Sequence, residues 1–239
     1  MWGLIYKELV QGRKNIISII ISEGAMSLLM LMPSLLGEDS DLVSEIIPLL
    51  GIFVYILMFL IISMLCVGFF EMDENKRWVY FIASTPATAA GQVRTKYLCT
   101  FIMYTLLLGW SFALSKIVAA KGFQISFVVP LGLYFAMLFV HAVEFPFIVR
   151  FGSKAGSLVK TAIGLLAMLI GVEYALFGDI SAFENTDEIF DLLSRLGKAG
   201  VISGVTSMLV MAFPFVALSM YLFSCEISAK LYLKGAEDY

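Results

Sequence analysis

Four ionisable side chains fall inside long apolar runs of this sequence: Glu23, His141, Glu144 and Glu173. A charge at membrane depth costs several kcal/mol, about 3 on insertion scales, unless it is paired or wetted. His141 and Glu144 are three residues apart, so on a helix they share one face. Two chemistries are open to such groups. They either line a partly hydrated translocation path and meet cargo, or hold neighbouring helices together through hydrogen bonds. A metal site at His141 and Glu144 needs further ligands, and the sequence offers no other histidine.

Other chemistries are missing. No G-x-x-x-x-G-K-[ST] phosphate loop is present. Residues 152–156 (G-S-K-A-G) come nearest, but lack the final Gly-Lys pair and have no strand before them. A single histidine within an apolar run makes no Ser-His-Asp triad. Cys66, Cys99 and Cys225 are odd in number, fit no metal spacing, and read as small packed hydrophobes. This chain therefore carries no cofactor of its own and no catalytic site.

The elements that must position these groups follow from composition. Of 239 residues, 60% are hydrophobic and 15% charged, with a mean hydropathy of +0.93. A soluble domain has about 25% charged residues, so the class is an integral membrane protein. Nucleic-acid binding is excluded by a net charge of −3 and the lack of a basic stripe. Continuous apolar runs at 16–36, 46–70, 97–115, 127–149, 161–178 and 201–224 predict six transmembrane helices in one all-α domain over 1–239. A transmembrane barrel would alternate in shorter segments. No small-residue cleavage site follows the first run, so it reads as a span and not as a removed leader.

Basic residues set the orientation. Twelve lie on one side: Lys7, Arg13, Lys14, Lys76, Arg77, Arg94, Lys96, Arg150, Lys154, Lys160, Lys230 and Lys234. Only Lys116, Lys121, Arg195 and Lys198 lie on the other. Both termini are expected to be cytoplasmic. Residues 1–14 read as an amphipathic interfacial helix with Lys7, Glu8 and Gln11 on its polar side. The inner connection, 71–96, mixes charge with Trp78, Val79, Phe81 and Ile82. It predicts a short amphipathic helix stopped by Pro86. The outer loop, 179–200, predicts another short interfacial helix. Pro146, two residues after Glu144, is placed to bend the fourth span and open it around that carboxylate.

Residues 71–78 (E-M-D-E-N-K-R-W), 84–86 (S-T-P) and 93–98 (V-R-T-K-Y-L) resemble bacterial ABC transporter permeases of the type-2 exporter class. Residues 4–9 (L-I-Y-K-E-L) are similar to that class's N-terminal L-x-x-K-D-L element, with Glu8 replacing Asp. Residues 146–152 (P-F-I-V-R-F-G) resemble the end of its fourth span. Within the class, the nearest subgroup is the permeases of phenol-soluble-modulin and related peptide exporters. The resemblance implies a half transporter in a bacterial cell membrane. Two permease chains, alike or different, sit above two ATPase subunits, which hold the ATP and magnesium. It implies ATPase contacts through residues 1–14 and a coupling helix carrying Glu71, Asp73, Glu74, Lys76, Arg77 and Trp78. Glu23, His141, Glu144 and Glu173 become translocation-pathway candidates. Six spans with intramembrane carboxylates also permit an ion-coupled secondary transporter or channel. The long inner connection favours the ATP-driven exporter, since a secondary carrier needs no docking helix there.

Overall fold

A computed structural model describes residues 2–31, 41–71, 89–120, 127–177 and 201–237. Seven α-helices, and no strands, occur among them. They are α1 (Trp2–Gln11), α2 (Arg13–Leu31), α3 (Asp41–Glu71), α4 (Ala89–Ala119), α5 (Val128–Phe151), α6 (Ser153–Phe177) and α7 (Val201–Glu237). Among the described residues, four stretches are long and apolar enough to cross a membrane: Leu50–Glu71, Ala90–Ala119, Val128–Phe151 and Met211–Tyr232. The bent pair Gly3–Gln11 and Ile16–Leu31 supplies a fifth if it is one broken span. The expected run at 161–178 lies in α6, whose side chains beyond 169 are outside the described residues.

α1 and α2 meet at 68° around Gly12. A Cβ there would stand 3.0 Å from the Phe69 ring and 3.1 Å from the Glu8 carbonyl, so glycine lets the bend pack closely against the end of α3. The outward side of α1 carries Tyr6, Leu9 and Val10, a surface suited to the membrane interface. Glu8 corrects the sequence expectation of a solvated polar side. It is buried at 1% exposure, with Lys7 Nζ 3.2 Å from its carboxylate. The reason is that α1 packs against α4 as well as α2, so one side of it faces protein.

The core forms where α3, α4, α5 and α7 meet. Phe145 of α5 is fully buried, 4.6 Å from Phe70 and 5.0 Å from Tyr97 between ring centroids. Tyr97 in turn packs on Tyr221 of α7 at 5.1 Å. Without a hydrophobic drive between helices in lipid, such packing and interhelical hydrogen bonds hold the bundle. Lys96, counted above among the cytoplasmic charges, is buried. Its ammonium donates to the Phe69 carbonyl and lies 5.0 Å from the centroid of the Phe70 ring.

The link between α5 and α6 is a single residue. Gly152 takes φ 89°, a value that side chains other than glycine rarely adopt. Its N–H donates to the Ile148 carbonyl at 2.8 Å. One turn on, a Cβ at Gly156 would lie 2.1 Å from Ile148 Cγ1. The G-S-K-A-G segment is thus a tight helix-to-helix corner. Residues 153–160, expected in a cytoplasmic connection, are helical instead, and Lys160 is carried into the bundle.

Candidate functional site

His141 lies at the centre of a buried polar network spanning four helices. Its Nδ1 is 2.8 Å from Glu144 Oε2, and both side chains are fully buried. The i,i+3 spacing on α5 sets this contact, as the sequence predicts. On the other edge of the ring, Nε2 is 2.9 Å from Tyr104 Oη of α4 and 3.3 Å from Ser63 Oγ of α3. Ser63 Oγ also accepts from Lys160 Nζ of α6. Phe145 stacks on the imidazole at 4.6 Å, and Phe59 stacks on Tyr104 at 5.9 Å, so the network is walled by rings.

With Nδ1–H donating to the carboxylate, Nε2 is left with one lone pair, which accepts from the nearer Tyr104 hydroxyl at 2.9 Å, and Ser63 Oγ at 3.3 Å is its weaker partner. Ser63 then relays from the Lys160 ammonium to the imidazole. A cation on α6 is thereby connected to a carboxylate on α5 through a hydroxyl of α3. Such a network is costly when only partly satisfied and rigidifying when complete. Glu144 Oε1 is the incomplete point: it is buried and without a hydrogen-bond partner.

α5 runs unbroken through Pro146 and keeps Glu144 at 0% exposure. The expected opening around Glu144 is therefore not a feature of this conformation. The tight Gly152 corner and the aromatic cluster at Phe145 close that end of α5 on its neighbours.

Glu23 sits apart. It belongs to the buried stripe Ile19, Glu23, Ser27 and Met30 on α2, while Ile20, Ile21, Leu28 and Leu29 face outward. Both of its carboxylate oxygens lack a hydrogen-bond partner. Nearby, Trp110 Nε1 of α4 donates to Ser27 Oγ at 2.9 Å, and Ser27 donates to the Glu23 backbone carbonyl at 2.7 Å. That arrangement fixes the backbone beside Glu23 and leaves its carboxylate unengaged.

Of the remaining candidates, Glu71 ends α3 and is exposed. Asp73, Glu74, Lys76, Arg77 and Trp78 lie outside the described residues, as does the outer loop. Glu173 falls on α6, with its side chain outside the described residues. Sequence reasoning missed Ser63 and Tyr104 as partners of His141, and Lys160 as the partner of Ser63. The one available signal was polarity in or beside apolar runs: a serine in the second, a tyrosine in the third, a lysine just before the fifth. Among the described residues no cluster of three or more His, Cys, Asp or Glu residues is arranged to hold a metal.

Compared with known families, residues 3–233 match the model described as ABC-2 family transporter protein. Neither a curated protein nor a solved structure matches the chain.

Proposed function

We propose, for a chain that belongs to the ABC-2 transporter family, the role of permease subunit in an exporter of amphipathic, positively charged peptides of the phenol-soluble-modulin kind. Family membership makes the chain a multi-pass membrane protein that works with ABC ATPase subunits, and members of this family are typically non-catalytic. In our reading six spans place both termini in the cytoplasm of a bacterial cell. Two such chains pair above two ATPases that bind ATP and magnesium. α1 and the segment 71–83 contact the ATPase, with Trp78 as an apolar anchor inside a rim of Glu71, Asp73, Glu74, Lys76 and Arg77.

The observation that carries the cargo class is Glu23. An unpartnered carboxylate on the protein-facing side of an apolar helix favours a cation presented on an apolar body. Amphipathic cationic peptides offer both, whereas neutral lipids and drugs lack the charge. Glu144, already engaged by His141, serves in this reading to hold α5 against α3, α4 and α6 between transport steps. Glu173 extends the path on α6. The ion-coupled alternative draws on the same His141–Glu144 network, and it predicts transport without an ATPase partner.

The test is transport in proteoliposomes holding the permease and its ATPase, using a peptide series that differs only in charge. Attraction in a partly wetted site amounts to about 1–4 kcal/mol, a preference of about fivefold or more. Glu23→Gln should lower export of cationic peptides at least fivefold more than export of neutral ones. A uniform loss across the series would make Glu23 a packing residue. Transport sustained by an ion gradient, without ATP, would favour the alternative.

A further inference from the structure

A second feature lies away from the His141 network, on the flank of the bundle where α4 and α7 run side by side. A cavity of 610 Å³ opens between them, lined mainly by apolar side chains, among them Leu98, Phe101, Leu218 and Leu222. Leu98 and Leu222 are 40% and 69% exposed, so the rim is continuous with the outward apolar surface. At one end stands the ion pair Arg94 Nη2–Glu226 Oε2 at 2.8 Å, with both side chains about half exposed. Arg94 is four residues inside the stretch Ala90–Ala119, and Glu226 six residues inside the end of Met211–Tyr232. At 1.5 Å per residue both stand about 6–9 Å from the helix-span ends, a depth from which long side chains reach the headgroup layer.

The floor of this groove is sealed. Tyr97 Oη is 2.7 Å from both Ser224 Oγ and Ser228 Oγ, and Tyr221 Oη donates to the Tyr97 carbonyl at 2.8 Å. An occupant therefore enters from the side, where the surroundings are lipid, and does not pass into the bundle. Within the groove lining the charges of Arg94 and Glu226 balance, and the excess positive charge comes from Lys230 just outside it. Arg94 uses one nitrogen on Glu226 and has further guanidinium donors. Lys230, exposed and one helical turn beyond Glu226, adds a second positive charge to the same face. Basic pockets between membrane helices on the cytoplasmic side are suited to anionic headgroups.

We propose that this groove is a binding site for an anionic phospholipid of the inner leaflet. Its headgroup phosphate takes donors of Arg94 and the charge of Lys230. One acyl chain lies along Leu98, Phe101, Leu218 and Leu222. The assignment to the inner leaflet rests on the orientation given above. The test does not, because it uses nanodiscs whose two leaflets are alike.

The full-length permease is placed in nanodiscs containing a photoreactive-acyl phosphatidylglycerol or the matching phosphatidylcholine, and the labelled peptides are mapped. Labelling of α4 and α7 at the groove should favour phosphatidylglycerol about fivefold, the worth of one basic residue near an anionic lipid. Arg94→Gln should remove most of that preference, and Glu226→Gln, which frees the guanidinium, should raise it. Leu218→Trp should fill the groove and suppress labelling by both lipids. Equal labelling by the two lipids, unchanged in the Glu226→Gln protein, would overturn the proposal. So would protection of the groove by disulfide-linked pairs formed through cysteine at Leu222, which would show a second copy as the occupant. Peptide transport is not read in this assay, so failure of the cargo assignment and failure of the lipid site are separable.

Discussion

Replacing His141 by Phe tests whether the buried network contains an ion pair or only neutral hydrogen bonds. The ring already stacks on Phe145 at 4.6 Å, so a phenyl group suits the space. Three contacts are lost: to Glu144 at 2.8 Å, to Tyr104 at 2.9 Å and to Ser63 at 3.3 Å. Hydrogen bonds between membrane helices average about 0.6 kcal/mol each, so three neutral ones come to about 2 kcal/mol. If Glu144 is ionised, the change leaves a carboxylate at 0% exposure with neither oxygen partnered, and the expected loss is about 3–5 kcal/mol. We expect the larger value, because Lys160 brings a cation to the far side of the network through Ser63. The pair replacement His141→Phe with Glu144→Leu removes both groups and should recover at least 2 kcal/mol of that loss. Equilibrium unfolding of the permease in bicelles measures both. A single-variant loss of about 2 kcal/mol or less, or a double variant as weak as the sum of the two singles, would refute the ion-pair argument.

Gly156→Ala should destabilise the α5–α6 corner by about 1–3 kcal/mol despite the helix preference of alanine, since its methyl meets Ile148 at 2.1 Å. In an Ile148→Ala background the same change should cost little, and a raised melting temperature for Gly156→Ala alone would show that the corner relaxes freely. Topology is read by cysteine labelling in a protein with its three native thiols replaced. A cysteine at Asp187 should react with an impermeant reagent from outside and one at Glu74 should not, while the reverse pattern would invert the orientation drawn from the basic residues.

Much of the architecture was legible in one dimension, because lipid imposes a local rule. Every backbone polar group must be satisfied within its own segment, so continuous apolar runs of about 20 residues become helices. That rule gave the all-helical class, and the motifs at 71–98 and 146–152 pointed to the family that the match over residues 3–233 shows. The i,i+3 spacing put His141 and Glu144 together for the same local reason. Tertiary structure decided the remainder. Tyr104 and Ser63 join that pair across separations of 37 and 78 residues, and Lys160 reaches Ser63 across 97, which no helical period encodes. Lys160 reaches it because Gly152 turns the chain in one residue, where composition suggested a cytoplasmic connection. Glu8 and Lys96, plain surface charges by sequence, are buried because α1 packs on α4 and Lys96 of α4 turns in to the end of α3. Which carboxylate is held and which is left unengaged, Glu144 or Glu23, depends on what the facing helices bring to each. The sequence of α2 or α5 alone does not contain that information.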